Sequence, residues 1–576
     1  MIYEYVTEPT SGIRLEKDYI GFDVETSGLN PRKDSLLLVQ LSDGERTYIF
    51  DCRVLPSDYM KSIFNQFSDK IFIAHNAKFD VGFVFANYGI LIRNVHDTML
   101  AEAVLNAGRQ QLLISLKDVV AKRFGIELDK SMQSSFLTPT RAFTQEQLKY
   151  AAADAAVLIR IYEEQIEEIL EGQFTRVMKL ENLVAPIVSM MEFYGVRFAP
   201  ERLAPVIDRE DKKAKLYEQR LHKIAGRVFN PRSVPQTKKI FHELADKTGI
   251  EKMRVSSTGA DVIKYIKHPF AKNLLAYRKA YKIVSTYGIK LIEKMEDDGR
   301  IHCNYRQYGA STGRFSSAAP NLQNIPKDKE FRRTFIASDG YMFATVDYSQ
   351  IELRLSGIVS GEPEILAEYR KADADLHRLT ASKIYSCKPE DVTMEQRNHG
   401  KTGNFSVMYG TSARGMSTKQ NLSYALCKRI INGFWSGYPI LRAYKNKVAS
   451  DSVSSGFSIT PLGRIRYLRK PEYNDPVFRY KISGMKREAF NMVVQGFAAD
   501  VMKYAMVRLY DDLGDRGRLL MQVHDEVGVE VKAENDGDAE ETTQLIVESL
   551  EKSAGIMVNN ILPMSVNAQL LDSWTK

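Results

Sequence analysis

Cysteine is scarce in this 576-residue chain: there are four, Cys52, Cys303, Cys387 and Cys427, far apart and without a CxxC pair. That spacing argues against a zinc site or a disulfide framework and leaves ordinary reduced thiols. No apolar run approaches the roughly 20 residues that span a bilayer. The opening MIYEYVTEPTSG has neither a basic start feeding an apolar core nor an Arg/Ser-rich amphipathic stretch. A cytoplasmic protein with no membrane partner is therefore expected. Internal repeats and low-complexity segments are also missing. What is present is an ordinary globular composition, 44% apolar and 26% charged, at a length that implies two or more cores.

The net charge of +8 is uneven. Residues 211–282 hold 18 Lys/Arg against 6 Asp/Glu, or +12, so the remainder sums to −4. Tyr217, Tyr265, Tyr277 and Tyr281 are interleaved with these cations and Tyr287 follows them. Such a segment suits a grip on a phosphate backbone, and it equally suits a solvated lysine-rich surface. Texture divides the chain further. The runs YIGFDVET, LLLVQLS, RTYIFD and IFIAHN read as strands and give way to helical periods ending in LKYAAADAAVLIRIYEEQIEEIL, a mixed α/β domain over 1–175. A helical, charged stretch follows over 176–300. Strand-like pieces then flank a helix-rich insertion, giving segments 301–375, 376–495 and 496–576.

Three N-terminal segments each offer acids in one direction. Asp23 and Glu25 sit two apart on a strand; Asn76 and Asp80, and Tyr150 and Asp154, sit four apart, as on one helix face. Carboxylate oxygens of this kind suit Mg²⁺ or Mn²⁺. A lone DxE is more often a sheet edge, but the three pieces in this order resemble the motifs of the DEDD superfamily of 3′→5′ exonucleases, in the version with tyrosine in the third motif. The resemblance implies that Asp23, Glu25, Asp80 and Asp154 bind metal and that Tyr150 positions water. It also implies that Thr26, Leu29 and Asn76 lie near the terminal nucleotide, and that the nuclease is active.

A second acidic set lies in TVDYSQIELRLSGI and QVHDEVGVEV. Asp347 ends an apolar strand, and Asp525 lies in a strand-turn-strand; if the strands are neighbours, the two carboxylates converge. Taken singly, Asp347 could cap the helix that follows and HDE could be a solvated hairpin tip. Between them, Arg397, Lys401, Phe405 and Tyr409 recur every four residues in RNHGKTGNFSVMYG, so one helix face would present two cations and then two aromatics. The GKT there imitates a P-loop, but Glu395 occupies the position of the required glycine, which excludes an ATPase reading.

These segments resemble the family A DNA polymerases over about 400 residues. ASTGRFSS with PNLQNIP is similar to the primer-side motif, DYSQIELR to motif A, RNHGKTGNFSVMYG to motif B and QVHDE to motif C. FNPRSVPQ, STY, GRIRYL and REAFNMVVQGFAADVMK extend the likeness. The fold implied is an RNase H-like exonuclease domain (1–175) followed by a right-hand polymerase: thumb (176–300), palm (301–375 and 496–576) and fingers (376–495).

The activity implied is template-directed DNA synthesis from dNTPs with 3′→5′ proofreading, in replication or repair, using two Mg²⁺ per active site with Mn²⁺ able to substitute. Asp347 and Asp525 would bind metal. Arg397, Lys401 and His377 would hold phosphates, Lys401 donating a proton to pyrophosphate. Phe405 and Tyr409 would face the nucleotide and template base, Glu352 would block a ribose 2′-OH, and Gln350 would share that substrate pocket. Arg314, Arg487, Asn491, Gln495 and His524 would line the primer terminus and minor groove, and Asn230 and Thr286 would contact DNA from the thumb, with Glu526 auxiliary.

The sequence departs from the family pattern at Ser406, where glycine is usual, at Lys327 or Lys329, where an arginine is usual, and in its short LLDSWTK ending. A 5′-nuclease domain is not expected in the chain, and a monomer is. Two other classes compete. One is a nuclease or DNA-binding factor with an inert polymerase half, against which intact Asp347, Asp525, Arg397 and Lys401 argue. The other is a single-subunit RNA polymerase, against which Glu352 and the exonuclease motifs argue.

Overall fold

A computed structural model describes residues 2–109, 114–128, 132–137, 142–535 and 537–575. The first 171 residues form a six-stranded mixed sheet in the order Ile2–Val6, Arg46–Asp51, Leu36–Ser42, Tyr19–Thr26, Ile71–Ala74, Val95–Asp97. The central meander is antiparallel and the flanking strands are parallel to their neighbours. The helix Gln145–Glu171, opened by a capping box between Thr144 and Gln147, packs across the three meander strands. It lies so close that a Cβ on Gly21 would meet the Ala155 carbonyl oxygen at 2.1 Å, which is why the central strand carries glycine there.

The next helix, Thr175–Tyr194, is buried on most sides. It packs against the helices Lys78–Tyr88 and Phe497–Leu513 and the strand Gly517–Val523, and so joins the two halves of the molecule. It belongs with this junction and not with the basic helices that follow it in the 176–300 stretch. Its Glu181, fully buried, is ion-paired at 2.6 Å to both Arg464 and Lys503, and Arg464 is also paired at 2.7 Å to Asp500. Two cations and two anions balance there, with Thr460 Oγ1 donating to Asp500 at 2.9 Å and Lys503 Nζ to the Gln307 carbonyl at 3.0 Å. Balance of this kind is what makes buried charge tolerable.

The basic helices Pro200–Ala225, Val234–Thr248 and Pro269–Tyr287 enclose their own small core around Leu221, Phe241, Phe270 and Leu274. Beyond them stands a four-stranded antiparallel sheet in the order Gly517–Val523, Glu526–Lys532, Tyr341–Tyr348, Val566–Leu571. The helices Phe497–Leu513 and Asp538–Met557 cover it. A further helical body holds Leu376–Tyr385, Met394–Thr402, Tyr424–Gly437 and Pro439–Ser455 around a separate core that includes Ile384, Met408, Ile430 and Phe434.

Two features of this body differ from the expected α-helices. Met394–Thr402 runs directly into a π-helix at Gly403–Val407, and Phe478–Asn491 passes through a second π-helix, Met492–Gly496, into Phe497–Leu513. The 495/496 division thus falls inside one continuous helical rod. Among the described residues, no helix is long and apolar enough to cross a membrane.

Candidate active sites

In the N-terminal domain, alternation along Tyr19–Thr26 directs Asp23 and Glu25 to one side, and the helix Gln145–Glu171 brings Asp154 over them. Carboxylate oxygens of Asp23, Glu25 and Asp154 lie within 4.8 Å of one another. Asp80, buried in the first turn of Lys78–Tyr88, is held well above the usual carboxylate range, first by burial and then by the charge of Asp23. Like charges so crowded are stabilised by a divalent cation, and all the donors are hard oxygens, so the residues fit one. Tyr150 lies one turn before Asp154, and its phenol is pushed far up by burial and then by Asp154, Glu25 and Asp23. It therefore stays protonated and able to donate.

The expectation that Asn76 and Asp80 share a helix face is corrected. The helix begins at Lys78, and Asn76 sits before it in a left-handed turn with φ 69°. That turn is held by Asp97, a residue the sequence did not single out. Its carboxylate accepts from the backbone N–H of Asn76 at 3.1 Å and Ala77 at 2.8 Å, and also from Met99 and Leu100 at the next helix start. Thr26 is buried, its hydroxyl donating to the Gly28 carbonyl at 2.6 Å, while Leu29 stands 80% exposed at the rim.

In the second half, Asp347 is the penultimate residue of Tyr341–Tyr348 and stands in register with Glu526 on the neighbouring strand. Asp525 occupies the tight turn before that strand, and the Tyr348 N–H donates to its carbonyl at 3.1 Å. The two aspartates therefore meet at one end of the sheet. His524, at φ 60°, forms the turn, and its N–H donates to Gln323 Oε1 at 3.1 Å. Gln323 in turn donates to the Gln522 carbonyl at 2.7 Å, so PNLQNIP is laced to QVHDE. Arg314, Gln323, His524 and Asp525 line one pocket.

A solvated hairpin tip at HDE is corrected for Glu526, which is buried. It accepts a hydrogen bond from Trp574 Nε1 at 2.5 Å and faces Arg332 at 3.8 Å, and burial pushes its pKa up to about 7. The short C-terminal ending thus supplies the indole that closes over this acid. Glu352, in the first turn of Ile351–Ser360, is ion-paired to Arg314, its pKa raised chiefly by burial. Gln350 forms the left-handed entry to that helix and accepts from the Tyr369 hydroxyl at 3.0 Å.

In the helical body, Arg397 Nε is 2.7 Å from Asp375, which also caps the helix carrying His377. Asp375 is a second organising acid not found by motif. His377 is pushed down to about 4 by burial, then by Arg397 and Lys401, so it is neutral, with Asn404 Nδ2 at 2.8 Å from its Nδ1. Lys401 is exposed. Phe405 is 44% exposed with its ring 5.6 Å from that of His377.

The four-residue spacing of Arg397, Lys401, Phe405 and Tyr409 does not define one continuous α-face. Phe405 and Ser406 lie in the π-helix, where hydrogen bonds span five residues, and Tyr409 lies in the turn beyond it. Arg487 packs against that turn, since a Cβ on Gly410 would meet its Cγ at 2.9 Å. Asn491 ends one α-segment and Gln495 lies in the second π-helix. Lys327 is the lysine whose charge reaches both His524 and Glu526, whereas Lys329 opens a short helix. Asn230 and Thr286 belong to the basic helical unit: Asn230 Oδ1 accepts from the Arg232 N–H at 3.0 Å, and Thr286 is exposed near the end of Pro269–Tyr287.

An acid-lined N-terminal α/β domain is thus joined to a second half in which two aspartates meet at a sheet end and a separate helical body carries Arg397 and Lys401. The profile described as "DNA polymerase family A" matches residues 201–576, and that described as "3'-5' exonuclease" matches residues 10–171. The chain belongs to DNA polymerase family A. It is 31% identical to DNA polymerase I of Chloroflexus aurantiacus over 535 positions, covering 87% of this chain and 54% of that protein. It is 30% identical to DNA polymerase I of Aquifex aeolicus over 616 positions, covering 100% of both. The chain thus spans about half the length of the former relative and all of the latter. Its fold is shared with a solved structure of the "POL domain of Pol1 from M. smegmatis complex with DNA primer-template and dNTP", with a TM-score of 0.82 at 24% identity, covering 97% of this chain and 96% of the other.

Proposed function

We propose that this protein copies DNA templates from dNTPs and removes 3′-terminal nucleotides at a second, independent site. The observation that carries the reading is the meeting of Asp347 and Asp525, far apart in sequence, at one end of the sheet. Asp347 and Asp525 would hold divalent cations at the synthetic site, and Asp23, Glu25, Asp80 and Asp154 would hold them at the nuclease site, Mg²⁺ being the favoured ion for all-oxygen donors. Cations so bound supply Lewis-acid stabilisation of the attacking and leaving oxygens.

The chain's own groups do the rest. Arg397 and Lys401 bind the triphosphate as cations, and neutral His377 hydrogen-bonds beside them. Lys401, open to solvent, gives its proton to the leaving pyrophosphate. Phe405 and Tyr409 face the base, while Glu352 and Gln350 bound the sugar. Arg314, Arg487, Asn491, Gln495 and His524 read the primer terminus through the minor groove, whose acceptors are shared by all base pairs. Asn230 and Thr286 contact the duplex backbone. In the nuclease cleft the protonated Tyr150 orients the attacking water. Extension of a labelled primer on a DNA template tests the reading: elongation with dNTPs and Mg²⁺ and shortening without dNTPs are expected. A primer unchanged in the presence of all four dNTPs would overturn it.

A further inference from the structure

Lys445 has no part in the motifs above, yet it lies where two of the site-bearing helices meet. It sits on the helix Pro439–Ser455, and its Nζ donates to the Met408 carbonyl at 2.9 Å and approaches the Val407 carbonyl at 3.4 Å. These are the last carbonyls of the π-helix that carries Phe405, just before Tyr409 and the left-handed Gly410. A helix C-terminus leaves carbonyls without intrahelical donors, and a cation there satisfies them and complements the dipole. The Val407 carbonyl already accepts from the Gly410 N–H, so the ammonium's main task is Met408.

The same ammonium lies 4.7 Å from the centroid of the Trp435 ring and 5.5 Å from that of Phe490, the neighbour of Asn491. Gly410 is wedged between it and Arg487: a Cβ there would meet Arg487 Cγ at 2.9 Å and Lys445 Nζ at 3.7 Å. Among the described residues, no carboxylate is ion-paired with Lys445; its surroundings are carbonyls and ring faces. The side chain is half-buried, and withdrawing a cation even partly from water without a carboxylate partner is costly unless its donors are satisfied.

We infer that Lys445 is a positioning residue for nucleotide selection: its ammonium caps the π-helix and pins the turn bearing Tyr409 against the helix bearing Arg487 and Asn491. The turn's seating then depends on one charge-assisted contact. Burial and the facing charge of Arg487 lower the Lys445 pKa to about 8. Trp435 and the main chain of 407–410 add no titrating group to its surroundings, so Arg487 is the charged group that faces it.

The inference rests on the polymerase reading, and its test separates the two. Wild type must first extend a primer; failure there counts against that reading. In K445M, the KM for the correct dNTP should rise about tenfold with kcat little changed, and discrimination against a mismatched dNTP should fall, as expected when a charge-assisted hydrogen bond is removed. Melting temperature and 3′ trimming should match wild type. K445Q keeps a donor but no charge and serves if K445M does not fold. Its KM relative to wild type should be about fivefold at pH 7 and shrink toward one by pH 9.5, as wild-type Lys445 loses its proton. Wild-type KM and discrimination in K445M, or a K445Q ratio that stays constant with pH, would overturn the inference.

Discussion

Arg314 and Glu352 illustrate how one residue's assignment depends on another. Each was expected to touch a different part of the substrate, the primer terminus and the ribose, yet they are paired with each other. The pair fixes the Glu352 carboxylate, which we propose bounds the sugar pocket. Glu352→Ala is therefore expected to raise ribonucleotide incorporation by about tenfold or more, and Arg314→Ala, which frees Glu352 to move, should act in the same direction; competing rNTP and dNTP incorporation measures both. A ribonucleotide frequency unchanged in Glu352→Ala would end that assignment. His96 offers a pH test in the nuclease domain. Burial holds it near pKa 4 against an ordinary 6.5. Below pH 6.5 the unfolded chain binds a proton that the folded one does not, so stability is lost as pH falls from about 6.5 to 4, by on the order of 2–3 kcal/mol. Amide exchange in Ile71–Ala74 and Val95–Asp97 should show this loss in wild type and much less of it in His96→Gln.

At the scale of elements, the basic helix Pro269–Tyr287 presents Lys272, Lys279, Lys282 and Thr286 at spacings of seven, three and four, and all four are exposed. That periodicity puts them along one face. Charge reversal at Lys272, Lys279 and Lys282 is expected to weaken duplex binding and flatten the slope of log K against log salt by about 0.9 for each phosphate that is no longer neutralised. An unchanged slope would return the segment to a merely solvated surface. The π-helices were illegible in the sequence because the choice between i→i+4 and i→i+5 bonding is made by neighbours. Gly400 approaches the helix Leu376–Tyr385 so closely that a Cβ would meet the His377 carbonyl at 2.1 Å, and Lys445 holds the far end of the same rod.

For the whole molecule, the two independent sites we propose imply separable activities. Asp525→Ala should lower extension by about three orders of magnitude and spare trimming, and Asp23→Ala should do the reverse. Loss of both activities in either well-folded variant would contradict two sites. The buried Glu181–Arg464–Asp500–Lys503 group couples the halves. Arg464→Met leaves two carboxylates facing one lysine and is expected to cost about 3–5 kcal/mol, read as a lowered thermal midpoint with both activities diminished together on warming.

The strands Tyr19–Thr26, Leu36–Ser42 and Arg46–Asp51 were legible residue by residue, because short apolar runs bounded by polar residues are a local property. The grouping of Asp23 and Glu25 was legible because residues two apart on a strand share a side, and the motif resemblance added Asp154, whose carboxylate lies within 4.8 Å of theirs. Asp97, Asp375, Trp574 and Lys445 were not, for each matters through a partner distant in the chain: a turn at Asn76, Arg397, the carboxylate of Glu526, the carbonyl of Met408. The sequence by itself thus determined which groups can do chemistry and on which strands and helices they ride. Only the tertiary structure decided which charges neutralise one another, since pairing depends on distances across the core that no local pattern encodes.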